Sequence, residues 1–318
     1  MIKQEVILTV HDAYTGGKLV LDASGLRVDF DVRNLPGYNR GTATIYNLNE
    51  ATVASLMSGD RYITIKTRLH GGKLYTIADR YYLSNTVDEL NLPDRTTKLY
   101  MFDSPKKDVL EKQINISVRK PSLSNVIKQV YAAGGGTGKV TFSSFPKDSH
   151  LDIPPKRRRV FNGSVASIFS TLAKEFKFVQ YNMDGNGIAI MYKPDSGEST
   201  ELDSKLPSII LQTDAMKSNP KIGIASASIV SNLDPRIGPT SIIDLSRLVT
   251  VSVDAPESTL RIADGYLKNF SNTKFQVFTV VHAGSNYTAA WDTTITALSP
   301  TKGKLMSTIA WANIDKGV

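Results

Sequence analysis

Between Leu26 and Arg33 the chain reads LRVDFDVR, with Leu26, Val28, Phe30 and Val32 alternating against Arg27, Asp29, Asp31 and Arg33. This period belongs to a β-strand with one face on a core and the other in water. A helix would spread the same four apolar side chains around its circumference. Any fold for this chain must therefore hold a half-buried sheet here. After the turn-rich NLPGYNRG comes a second strand run, TATIYNL. Asn49 then stands where an N-cap belongs, Glu50 to Met57 has the length of two helical turns, and Ser58-Gly59 stops them. RYITIKTRL follows as a third strand, with Ile63 and Ile65 on one face. Strand, turn, strand, short helix, strand is a compact piece of β-barrel or sandwich.

The rest of the chain falls into segments of different texture. Residues 1–25 give one strand, EVILTV, and a turn around Gly16-Gly17. After a Gly71-Gly72 turn, KLYTIADRYYLSNTVDEL and TTKLYMF are strand-like and are separated by a turn at Asn91–Arg95. Turns at this spacing point to an all-β barrel over 1–103. SLSNVIKQVYAA then reads as a helix capped by Ser122, with Val126, Ile127, Val130 and Tyr131 on one face. SVASIFSTLAKEFKF reads as a second, capped by Ser164, with Val165, Ile168, Phe169, Leu172 and Phe176 as its apolar stripe. FVQYNMDGNGIAIMYK is a β-hairpin turning at Asp184-Gly185. Residues 104–205 are thus an α+β insert. From Ser208 the chain is β again, through IILQTD, KIGIASASIV, SIIDLSRLVTVSV, TKFQVFTVVHAG and DTTITAL, giving a second barrel over 206–300. A faint repeat supports this division: Asn47-Leu48 lines up with Asn232-Leu233 and Gly59 with Gly238, a tight DPRIGP turn replacing the helix. The apolar tail 301–318 reads as an anchoring arm.

The order GLRVDFDV … TATIYNLNEATVASLMSGDRYITIKTRL resembles the first barrel of the baseplate hub proteins of contractile-tailed bacteriophages. The NLDPRIGP turn followed by an apolar strand resembles the second barrel of that family, and the helix-then-strand units of 104–205 resemble its inserted middle domain. The resemblance implies two tandem tail-tube-like barrels flanking a middle α+β domain, and a homotrimer of C3 symmetry. Three chains would make a pseudo-hexameric ring that matches a six-fold tail tube protein hexamer on one face and a three-fold central spike protein on the other. Duplication lets a trimer present six near-equivalent docking surfaces, and pairing of outer edge strands between subunits would hide those edges. Tape-measure and baseplate wedge proteins are further implied partners, and DNA only passes through the channel. The candidate inter-subunit residues are Arg27, Asp29, Asp31 and Arg33 on the first strand, Asp244 and Arg247 in SIIDLSR, and Arg157, Arg158 and Arg159 in the basic run PKRRR.

Motifs for chemistry are absent or fail on their context. GGGTGK at 134–139 lacks the first glycine and the hydroxyl residue of a P-loop, and a helix precedes it, so a flexible linker is expected. His11, His70, His150 and His282 have no ligand-like spacing, and each is expected to be a surface or structural residue. Asp184 to Gly187 mimics the start of a calcium loop but lacks its closing glutamate. With no cysteine there is no disulfide, thiolate zinc site or cysteine nucleophile. No metal, cofactor or enzymatic activity is expected. No apolar run approaches the roughly 18 residues of a membrane span, and MIKQEVILTV carries no cleavage site of a signal peptide. A virion protein made in the host cytoplasm is the expectation. The alternatives are a tail-tip protein of a flexible-tailed phage, the hub of a contractile secretion system, a carbohydrate-active enzyme, and a basic nucleic-acid-binding β protein, the last suggested by the net charge of +8.

Overall fold

The computed structural model describes residues 5–14, 17–37, 39–68, 72–91, 93–103, 107–118, 122–143, 159–183, 187–192, 206–222, 226–248, 252–253 and 274–298. The fold is mainly β, and the chain divides into two compact units. The first comprises Met1–Pro105, Ser231–Gly238 and Val280–Thr294, and the second Lys106–Val230, Pro239–Thr279 and Ile295–Val318.

The first unit holds β1 (Val6–Asp12), β2 (Leu19–Asp22), β3 (Val28–Asn34), β4 (Asn39–Tyr46), α1 (Glu50–Met57), β5 (Arg61–Arg68), β6 (Leu74–Asn91) and β7 (Asp94–Phe102). Its strands pair antiparallel in the order β2-β1-β5-β6-β7-β4-β3. The alternation seen in the sequence decides which way each strand faces. Val28, Phe30 and Val32 are buried and Asp29 and Asp31 half-buried, while β4 and β5 alternate in the same way. The inward residues of β1, β3, β4, β5, β6 and β7 join one apolar cluster, so the sheet is wrapped around its own core. Val53 and Leu56 of α1 belong to the same cluster. The Asn49 side chain accepts the Thr52 N–H at 2.7 Å, as the sequence requires of an N-cap.

Two features of this unit differ from expectation. β2 is an additional strand whose four residues are exposed or half-buried, too short and too wet to leave an alternating pattern. LYTIADRYYLSNTVDELN is the single strand expected, 18 residues long, but with bulges the pattern did not show, at the register shifts Ile63/Ile65 and Leu83/Asn85, and a left-handed Arg80 at φ 53°. Such bulges let one strand bend and change partners without breaking. The turn into β7 is also tighter than Asn91–Arg95, because Asn91 already pairs with Asp94.

The second unit opens with α2 (Lys107–Glu111), β8 (Gln113–Val118), α3 (Leu123–Ala133), β9 (Val140–Ser143), β10 (Arg159–Ser164), α4 (Val165–Phe176), β11 (Phe178–Met183) and β12 (Gly187–Tyr192). β8 and β10 pair antiparallel, and β9 lies parallel to β12 of the β11–β12 hairpin. Ser122 and Ser164 cap α3 and α4, accepting the N–H groups of Asn125 and Ser167. Val126, Ile127, Val130 and Tyr131 of α3, and Val165, Ile168, Phe169 and Leu172 of α4, are buried in one cluster with Phe176 packed against it. The turn of that hairpin, with Asp184-Gly185, lies outside the described residues.

The remaining strands are β13 (Ser208–Gln212), β14 (Lys221–Ile222), β15 (Ser226–Asn232), β16 (Ile242–Arg247), β17 (Ser252–Val253), β18 (Lys274–Ser285) and β19 (Trp291–Leu298). β16 runs parallel to β13 and antiparallel to the first residues of β18. β14 pairs with β15 and β17. In the first unit, Val280–Ser285 of β18 lie antiparallel to β3. Trp291 packs edge-on against Phe30 at 6.1 Å, over the position where Gly284 has no side chain. A Cβ there would lie 2.8 Å from the indole and 2.7 Å from the Phe30 ring, so only glycine admits this contact.

Candidate assembly surface

β3 presents its charged face outward while its backbone is paired on both sides, with β4 and with β18. This strand therefore has no open edge to offer another subunit, and any contact must use its side chains. At one end of the face the Arg27 guanidinium lies 3.8 Å from the Tyr46 ring centre and 4.8 Å from that of Tyr287, which is 75% exposed. Tyr46 donates its hydroxyl to Asp29 Oδ2 at 2.7 Å, and this hydrogen bond to a carboxylate raises the tyrosine pKa. At the other end Arg33 holds Asp31 through two hydrogen bonds of 2.7 and 3.2 Å. That pair, with Arg40, Tyr100 and Phe102, borders an open groove of about 450 Å³. The register continues the row through Arg33, Arg40, Phe102, Tyr82 and Tyr62 across five strands. Two cations and three aromatic rings thus lie side by side on the outside of the sheet.

The other candidate residues lie elsewhere. Asp244 is buried, its carboxylate accepting the Ser246 N–H at 2.9 Å, and β16 is flanked by strands on both sides. SIIDLSR has no alternation because four consecutive residues of this strand are buried. Arg247 is exposed. Arg159 makes a two-pronged ion pair with Glu175 on α4 and lies over the Phe161 ring at 5.2 Å. The hydrogen bonds from Arg159 lower the Glu175 pKa. Arg157 and Arg158 lie outside the described residues.

A second polar cluster sits at the tip of the β6–β7 hairpin. Arg95 donates to Asp88 from Nε at 2.9 Å and from Nη2 at 2.7 Å, and Thr97 adds a third hydrogen bond at 2.8 Å. Arg95 foremost, with Thr97, holds the Asp88 carboxyl below its usual pKa against the opposing effect of burial. Asn47, left-handed at φ 60°, accepts the Arg95 N–H on its side chain and donates its own backbone N–H to the Arg95 carbonyl. Its side-chain amide also reaches Asp94 at 3.2 Å. The only sign of this in the sequence is an asparagine directly after a strand, in a position that favours the left-handed conformation.

The remaining motifs are structural. In the GGG run, the Gly134, Gly135 and Gly136 amides donate to carbonyls of Val130, Ala132 and Tyr131. All three are spent on ending α3, so none is left to cradle a phosphate. Gly135 sits at φ 93°, and a Cβ on Gly136 would strike the Tyr131 ring at 2.4 Å. The expected flexible linker is in fact a packed turn. His282 is buried in the first unit, its Nδ1 3.0 Å from Thr293 Oγ1 and its Nε2 3.1 Å from the Ile237 carbonyl. Thr293 in turn accepts the Asp234 N–H at 2.9 Å. A neutral ring that donates from Nε2 and accepts at Nδ1 satisfies every partner, and burial lowers its pKa to about 4. His282 thereby anchors the DPRI turn. Among the described residues no group of histidines and carboxylates could hold a metal ion, and no helix is long and apolar enough to cross a membrane.

No family model matches this chain, and no curated protein matches it in sequence. Solved structures do match. The 43 kDa tail protein of prophage MuSo2 from Shewanella oneidensis aligns with a TM-score of 0.52 at 11% identity, over 93% of this chain and 97% of that one. The tail protein from Neisseria meningitidis MC58 aligns with a TM-score of 0.51 at 7% identity, over 92% and 96%. At such identities the likeness is one of backbone, and it spans both chains almost end to end. The chain has the fold of these two tail proteins.

Proposed function

We propose that this chain is a structural component of a phage tail baseplate, a trimeric central hub that adapts a six-fold tail tube to a three-fold spike. The observation that carries the reading is the shared fold, which covers more than nine-tenths of this chain and of both tail proteins. The sequence adds the specific hub motifs of GLRVDFDV, TATIYNL and NLDPRIGP. In this reading residues 1–103 and 206–300 supply the two tube-like surfaces, 104–205 the insert, and 301–318 an arm onto a neighbour. The chain works as a shaped adaptor in the virion and carries out no reaction. Its partners are two further copies of itself, the tube hexamer and the spike, with tape-measure and wedge proteins around them.

Light scattering or mass photometry of the purified chain tests the trimer. Three copies of 34.8 kDa give a species of about 104 kDa. Co-purification of that species with tail tube protein tests the adaptor role, and a chain that binds neither itself nor tube protein refutes it. Measurable turnover on peptidoglycan would move the reading to a carbohydrate-active enzyme.

A further inference from the structure

β6 is more than twice as long as its neighbour β5. Leu74 to Tyr82 pair with β5, but from Leu83 to Asn91 the strand pairs with β7 alone among the described residues. β7 is paired with β4 up to the Tyr46–Thr96 register, so only the Leu90–Arg95 and Asn91–Asp94 pairs project beyond it as a two-stranded ribbon. A free two-stranded ribbon is marginal in water, yet this one is stiffened by the Asp88, Arg95, Thr97 and Asn47 hydrogen bonds. Its tip carries Leu90, 71% exposed, beside the exposed Glu89. A rigid projection that keeps an apolar side chain in water has the form of a docking element whose ordering cost is met before binding.

Its charge indicates what it docks on. Glu50, Asp88, Glu89 and Asp94 gather here against Arg95 and Arg27, and the Glu50 side chain is 89% exposed. The net charge of the chain is also unevenly divided. The first unit has 13 Lys and Arg against 14 Asp and Glu, which leaves 25 against 16 in the second. The whole positive excess lies in the second unit. We propose that the tip of the β6–β7 hairpin, from Asp88 to Arg95, is the acidic half of the contact between copies of this chain, and that it docks on the basic second unit of a neighbouring copy. The contact is heterologous, tip to flank, so a closing rotation generates a ring. It rests on the trimer reading given above.

The test uses the full chain with a photo-crosslinking amino acid in place of Leu90, together with Glu89→Lys/Leu90→Lys and the milder Glu89→Gln/Leu90→Ser. Expected are an assembled wild type that weakens as salt is raised, at least a ten-fold loss of assembly in the lysine variant with an unchanged melting temperature, and a smaller loss in the milder one. Crosslinked pairs should map from position 90 to residues 106–230, 239–279 or 295–318 of another copy. An assembled wild type whose variants assemble equally well, or whose crosslinks fall in the first unit, overturns the hairpin contact and leaves the trimer intact. A wild type that stays monomeric at every concentration overturns both.

Discussion

Among the described residues, His282 is the one on which pH acts most directly. Its folded pKa of about 4 lies below the 6.5 of an unperturbed histidine. As pH falls through 6.5 the unfolded chain takes up a proton that the folded chain refuses, so stability is lost progressively until about pH 4, where the folded form also protonates. Above pH 7 this contribution is complete. Over the window the loss amounts to about 3 kcal/mol. Thermal unfolding measured between pH 7 and pH 4 checks it, and His282→Gln should flatten that part of the profile while lowering stability at pH 7. The Asp12–Arg61 pair behaves differently. Arg61 is buried and also donates to the carbonyls of Ser55 and Asp60. Asp12→Ala leaves that guanidinium without its counter-ion and should cost about 3 kcal/mol in a urea titration. Neither role was legible in the sequence, where a lone histidine and two distant charges give no sign of their partners. Ring and carboxylate find their contacts only through long-range strand pairing.

Elements whose ends are fixed locally were legible. Asn49, Ser122 and Ser164 each cap the helix that follows because a cap hydrogen bond spans only three residues. Ser164→Ala should therefore lower stability by about 1 kcal/mol. The opposite end of α4 offers the converse test. Lys177 is held left-handed at φ 54°, a conformation that costs a non-glycine residue about 1 kcal/mol. Lys177→Gly should raise the melting temperature by a few degrees. The strands were legible wherever one face meets water, as in β3 and β4. β16 was read as a strand too, but not its burial, because burial on both faces erases the alternation that would have shown Asp244 to be inside. β6 was read as one strand run, but its bulges were not, since a bulge and a turn use the same residue types.

At the scale of the whole molecule, the tandem order of β-rich, α+β and β-rich segments could be read from texture, but not how chain segments combine. Ser231–Gly238 and Val280–Thr294 join a unit otherwise built from the first 105 residues, a grouping that local pattern cannot encode. The net charge of +8, which on its own suggests nucleic acid, is better understood once divided between units of −1 and +9. Attraction between unlike units is screened over about 10 Å at 0.1 M salt. Assembly should therefore strengthen as ionic strength falls, whereas a purely apolar interface would show little change. Sedimentation at several salt concentrations separates the two.

The edge-on contact of Trp291 with Phe30 also has a spectroscopic use. The chain holds only two tryptophans, Trp291 in the first unit and Trp311 near its end. With Trp311 replaced by Phe, all indole emission comes from one ring seated over Gly284. Its wavelength and quenching then follow the opening of the first unit alone, so that unit's unfolding can be timed inside the intact protein, label-free, whatever the rest of the assembly is doing.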